Sequence, residues 1–256
     1  MKHASLHTIR ALIARDLRDA AVNPTTLMMF AGTFLVAGFF RMLGLPDWLE
    51  PGAAPSMFLA LIIMVAPTFT ASIITYTTMA EEREAGMYAT LSSTGVSMGT
   101  LLASKIAVSL ICTYVTAAAM YIILGISPGY ASVFFVALLP ASLSMIFICA
   151  AAGAILRAYD HVTFASAIVV VLAIAPFLGF ISNAVRGVAF IFPTGAVIEL
   201  LRFWCSGHAV MHPVVLVAVA VVWAMATGAC VVVLTRRYDR EVREEVCRGD
   251  ASHDLR

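Results

Sequence analysis

Six long apolar stretches, separated by short polar segments, dominate the chain. The first runs from about Thr25 to Leu43 and opens at Asn23-Pro24, a helix-start signal. The second runs from about Pro55 to Ala80. The third runs from about Ser104 to Ile126 and stops at Ser127-Pro128-Gly129. The fourth covers about Ala131 to Leu156 with Pro140 inside it, the fifth about Val162 to Ile181, and the sixth about Pro213 to Thr235. Each is long enough to cross about 30 Å of hydrocarbon. In lipid a lone chain satisfies its backbone only as helix or closed barrel, and the period-two alternation of a barrel is missing. The pattern predicts an all-α polytopic membrane protein: a single transmembrane domain over residues 1–256 with six transmembrane helices.

The segments outside the spans carry their own periodicity. Leu6, Ile9, Leu12, Ile13, Leu17 and Ala20 recur at helical spacing, with Asp16 a blemish inside the apolar arc. This predicts an N-terminal amphipathic helix within residues 1–22 lying at the membrane interface. The alternative is a solvated helical leader. Charges interrupt the segment too often for a signal peptide. Residues 183–207 are too polar to cross, yet Val188 to Phe192 is apolar and Pro193-Thr194 starts a second amphipathic piece. They read either as an outer re-entrant segment before the sixth span or as a plain outer loop helix. Residues 81–104 and 236–256 are the longest polar stretches.

Composition sharpens the class. Apolar residues make up 61% of the chain and charged residues 12%, about half the usual share. The mean hydropathy is +0.95. So few polar groups cannot cover a soluble globule, which excludes an ordinary soluble enzyme and a disordered protein. The net charge of +1 leaves no basic footprint for nucleic acid. Thirteen of the 16 Lys and Arg residues fall on one side of the six-span plan, and only Arg41, Arg186 and Arg202 on the other. By the positive-inside rule both termini are expected in the cytoplasm. Cys112, Cys149 and Cys230 lie in spans, Cys247 in the tail, and Cys205 alone faces outward, so no outward disulfide is expected. High alanine content and that lack of disulfides fit a bacterial plasma (inner) membrane.

No catalytic pattern stands out. There is no phosphate-binding G-x-x-x-x-G-K-[ST], no H-E-x-x-H, no G-x-S-x-G and no Cys/His metal spacing. No catalytic residue, metal or bound cofactor is therefore expected in this chain. Arg41, Arg157 and Arg186 lie near span ends and read as membrane anchors that snorkel to the headgroups. Glu199 and Arg202, three apart, are expected to pair with each other. Thr68, Thr70, Ser72, Thr75, Tyr76 and Thr77 make the second span rich in hydroxyls. Such groups line a path or bond helix to helix and to their own carbonyls. Thr68, Ser72, Thr75 and Tyr76 are the candidates for a cargo pathway.

The loop after the second span is the most informative segment. Glu81, Glu82 and Glu84 crowd a helix end, an electrostatically poor place for anions. Glu84 to Leu91 can form a short helix with Met87, Tyr88 and Leu91 on one side, broken by Ser92-Ser93-Thr94-Gly95. Ser97 can cap the next helix, which carries Lys105 into the third span. This loop resembles the cytoplasmic signature of type-2 ABC exporter permeases in Glu82, Glu84, Gly86, Leu91, Val96, Ser97 and Lys105. Met87 stands where that family usually has Thr, and Gly95 where it often has Pro. The N-terminal amphipathic helix, the six-span plan and the outer re-entrant segment resemble the family as well.

The resemblance implies a permease subunit of an ATP-driven exporter, half of a transport unit completed by a second permease copy or homologue. It implies a P-loop ABC ATPase as partner, with ATP and Mg on that partner subunit. Glu82, Glu84, Gly86, Met87, Tyr88 and Leu91 would form the coupling loop that docks in the ATPase groove. With no charged lining in the spans, the expected cargo is amphipathic or hydrophobic: a drug, a lipid-like molecule or a bacteriocin-like peptide. Two other classes compete. A non-transporting immunity or structural protein would tolerate substitution in the loop from Glu81 to Leu91. An intramembrane enzyme would need a nucleophile or metal constellation, for which His161, His208 and His212 offer no obvious partner.

Overall fold

In the computed structural model, residues 6–44, 54–84, 97–155 and 160–253 are described. All regular structure among them is helical. Helix α1 (Leu6–Val22) meets α2 (Pro24–Leu43) at Asn23, whose Oδ1 accepts a hydrogen bond from Thr25 N at 2.9 Å. Pro24 takes the first helical position, where its missing N–H would be unpaired anyway. Helix α3 (Ala54–Thr70) continues as a π-helical stretch (Ala71–Thr77) and then as α4 (Thr78–Glu84). Pro67 inside α3 removes one rung of the hydrogen-bond ladder just before the helix widens.

Helix α5 (Met98–Leu124) starts at Ser97, whose Oγ accepts from Thr100 N at 3.2 Å. It ends at Gly125, in left-handed conformation at φ 66°. The glycine therefore stops this helix before Ser127-Pro128-Gly129, where the sequence pattern set its end. A 3₁₀ turn (Pro128–Tyr130) leads into α6 (Ala131–Ile155), which carries Pro140. Helix α7 (Asp160–Ile174) tightens into a 3₁₀ stretch (Ala175–Phe180). Two shorter helices follow, α8 (Asn183–Ala189) and α9 (Gly195–Ser206). Helix α10 (Pro213–His253) runs on past Thr235, so residues 236–253 continue the helix.

Five of these helical segments are long and apolar enough to cross a membrane: Pro24–Leu43, Ala54–Tyr76, Met98–Leu124, Pro128–Ala154 and Pro213–Arg237. The fifth apolar stretch of the sequence appears as a shorter apolar helix, Ala167–Phe180. The fold is that of an all-helical, membrane-embedded protein.

Helix α3 lies at the centre. Leu59, Ile62 and Ile63 are enclosed by Met120 and Leu124 of α5, Phe134 and Leu138 of α6, and Ile198 and Leu201 of α9. Helices α2 and α10 are peripheral and leave Met28, Leu35, Phe39, Val214, Val222 and Val233 exposed. In lipid, moving a leucine from acyl chains to protein gains little hydrophobic energy. Close packing and polar pairs must therefore select this arrangement, and the polar pairs collect at the two ends of the bundle.

Candidate functional site

At one end, α1, α4 and α5 converge on four ionic side chains. Arg15 donates to Asp16 Oδ1 at 2.7 Å and to Glu82 Oε1 at 3.0 Å. Lys105 Nζ stands 3.0 Å from Glu82 Oε2 and donates to Thr78 Oγ1 at 3.2 Å. Asp16 also accepts from Ser104 Oγ at 3.0 Å. Its inner members are buried, with Lys105 2% exposed, Asp16 7% and Ser104 0%, while the Arg15 side chain is 34% exposed. Two cations face two carboxylates, so the group is neutral as a whole. Burial works against the charge on Arg15, but the hydrogen bond and charge of Asp16, with Glu82 and Asp19, outweigh it and raise its pKa above the ordinary arginine value.

This geometry explains the blemish in α1. Asp16 sits on the apolar side because that side faces protein. Ile13, Leu17 and Ala20 pack against Ile74, Val108 and Cys112, and Asp16 meets Ser104 on the same surface. Arg15, Asp16 and Ser104 were not singled out as site residues by the sequence pattern. The available signal was the anion itself, since a carboxylate on an apolar helix face needs a partner.

Beside the cluster opens a cleft of about 570 Å³ between α1, α2, α4 and α5, lined by Asp16, Asp19, Ala20, Val22, Pro24, Thr26, Ile74, Glu81 and Lys105 among others. A separate crevice, too tight to admit a water and lined by Thr26, Phe30, Phe69, Thr70 and Ile74, lies between α2 and α3. Helix α5 passes along the same region and shares hydroxyl bonds with α3. Thr70 Oγ1 and Thr113 Oγ1 are 2.5 Å apart. One helical turn nearer the ionic cluster, the Ser109 hydroxyl is buried without a partner among the described residues.

The pathway candidates lie inside this bundle. Thr68, Thr75 and Tyr76 are all buried. Thr68 Oγ1 donates to Met64 O at 2.5 Å, a bond to its own helix, whereas Thr75 Oγ1 has no partner among the described residues. The side chain of Ser72 lies outside the described residues. Of the coupling candidates, Glu82 is described and engaged by Arg15 and Lys105. The side chain of Glu84, and all of Gly86, Met87, Tyr88 and Leu91, lie outside the described residues, as does Arg157.

The other end holds a second ionic group. Arg186 Nε on α8 is 3.1 Å from Glu199 Oε1 on α9, while Arg202 Nη1 is 3.8 Å from the same oxygen. Glu199 thus takes Arg186 as its nearer partner, and the expected pairing within α9 is the longer contact. Arg202 lies over the Phe180 ring, 4.7 Å from its centroid. Arg186 is held by protein. The same holds for Arg41, whose Nη1 donates to Leu124 O at 2.8 Å and so caps the C-terminal end of α5. Trp223 Nε1 of α10 donates to Ile191 O at 2.6 Å, tying the turn between α8 and α9 to the last helix.

No protein-family model matches the chain, and no curated protein matches it.

Proposed function

We propose that the chain is the permease subunit of an ATP-driven ABC exporter of the type-2 class, carrying an amphipathic or hydrophobic cargo out across a bacterial plasma membrane. The observation that supports this most is the ion cluster at the root of the loop between α4 and α5. Glu82 ends that root and is gripped by Arg15 of α1 and Lys105 of α5. A partner pulling on residues 85–96 would therefore move three helices together. Coupling needs such a link, because ATP can shift a permease only through contacts that differ between its two states.

In this reading α7 with its 3₁₀ extension is the fifth of six spans, α1 is an interfacial helix, and both termini are cytoplasmic. The α8–α9 hairpin is re-entrant. Support for that comes from Trp223, ten residues into α10 and so about 15 Å along it, which holds the hairpin's turn. Thr68, Ser72, Thr75 and Tyr76 would meet cargo only if α3 and its neighbours part during the cycle. A second permease copy or homologue completes the pathway, and the P-loop partner binds ATP and Mg.

The test is purification of the tagged chain from its own membranes in mild detergent, with mass spectrometry of stoichiometric companions. The expected companion is a P-loop ATPase, lost on Tyr88→Asp. A chain that emerges alone under gentle conditions would move the reading to an immunity protein or an intramembrane enzyme.

A further inference from the structure

The cleft beside the ion cluster has a charge that its own side chains do not cancel. Arg15 and Lys105 are matched by Asp16 and Glu82. Asp19 and Glu81 also line the cleft, and neither makes an ion pair among the described residues. Two carboxylates thus stand over at the rim. Deeper in, Thr26 is 3% exposed, and no hydrogen bond of its hydroxyl is found among the described residues. The hydroxyl is not enclosed, so it opens onto the cleft with its hydrogen-bonding capacity free for a ligand. Thr26 lines both the cleft and the tight crevice toward Thr70. The remaining walls are largely apolar, through Ala20, Val22, Pro24 and Ile74.

We propose that this cleft binds an alkylammonium-type amphiphile, with its cationic head among Asp19, Glu81 and Thr26 and its chain along the apolar wall. The volume of about 570 Å³ is that of a small-molecule site and far exceeds one ion. An anion is disfavoured, because the Lys105 charge in the cleft is already taken by Glu82. A primary ammonium supplies what the cleft lacks: positive charge for two carboxylates and N–H donors for an unpaired hydroxyl. As a statement about cargo this rests on the exporter reading. As a statement about binding it stands alone.

The probe is dodecylammonium carrying a diazirine on its chain, photolysed with the full-length chain in phosphatidylcholine nanodiscs, the labelled peptides being mapped by mass spectrometry. The matching dodecanol is the neutral control. Label is expected on the peptides containing Ala20 to Pro24 and Ile74. Asp19→Asn with Glu81→Gln should lower it about fivefold or more, the loss of roughly one charge-assisted hydrogen bond. Thr26→Val, nearly the same shape, should lower it about twofold to fivefold, the worth of one ordinary hydrogen bond. Helicity and melting temperature serve as checks that the variants are folded. Equal labelling of wild type and the double variant overturns the proposal, as does equally strong labelling of these peptides by the alcohol. Label in the cleft with no copurifying ATPase supports the site and removes the exporter reading. A copurifying ATPase with no label in the cleft removes the site alone.

Discussion

Lys105 Nζ lies 3.0 Å from Glu82 Oε2, joining the start of α5 to the end of α4 through a lysine that is almost wholly buried. The two partners are not equivalent. Glu82 has a second cation in Arg15 at 3.0 Å, whereas the other contact of Lys105 is the Thr78 hydroxyl. Glu82→Gln therefore strands a buried ammonium, at a cost of about 3 kcal/mol. Lys105→Met leaves the carboxylate paired with Arg15 and keeps the volume, so about 1 kcal/mol is expected. Thermal melting in detergent should place Glu82→Gln well below Lys105→Met. The reverse order would show that Arg15 does not share the carboxylate.

Asp16 fastens α1. It accepts from Arg15 at 2.7 Å and from Ser104 at 3.0 Å while 7% exposed. Asp16→Asn keeps the shape and loses the charge, which should cost about 1–3 kcal/mol. The loss should appear locally, as freeing of α1. Trypsin cleavage after Arg10, Arg15 and Arg18 is the readout. Faster cleavage is expected in Asp16→Asn, with Asp19→Asn, a change at the exposed rim, matching wild type. Unchanged cleavage in Asp16→Asn would mean that the apolar contacts of Ile13, Leu17 and Ala20 alone hold the helix.

The helices themselves were legible because length and hydropathy are local properties. Asn23-Pro24 and Ser97 started helices where their chemistry requires, since a cap acts within its own few residues. What the sequence leaves out are partners distant along the chain. Arg41 also has Leu124 as a partner, and Arg186 has Glu199, which their places near span ends do not report. Glu199 keeps the expected pair with Arg202 one turn away and gains the closer Arg186 because α8 folds back onto α9, which periodicity cannot report. In the same way, the ion cluster joins residues 15, 82 and 105, which only the packing of three helices brings together.

Gly125 and Arg41 form a second such pair. Gly125 holds φ at 66°, and a Cβ there would lie 2.6 Å from Arg41 Nη1. Gly125→Ala thus strains the backbone by about 1–2 kcal/mol and displaces the guanidinium that caps Leu124. Arg41→Ala removes both the cap and the clash. A double-mutant cycle by thermal melting should be non-additive, the double variant being less damaged than the two singles combined. Strict additivity would mean that Arg41 does not occupy this place in the folded chain.

The outer hairpin depends on Gly195. A Cβ at that position would stand 1.8 Å from the carbonyl oxygen of Ala189. Since the opposing atom is backbone, no side-chain rotation can relieve the overlap. Helices α8 and α9 would have to separate, moving Ile191 away from Trp223 and stretching the 3.1 Å pair between Arg186 and Glu199. The chain has three tryptophans, so Trp48→Phe with Trp204→Phe leaves Trp223 as the only indole. In that background Gly195→Ala should shift Trp223 emission as its N–H loses the Ile191 carbonyl, and lower the melting temperature. Gly187→Ala is the matched control, because a Cβ there meets nothing within 4 Å. It should leave both signals unchanged and gain slightly from the better helix former. Equal spectra for the two variants would remove Gly195 from the hairpin's closure.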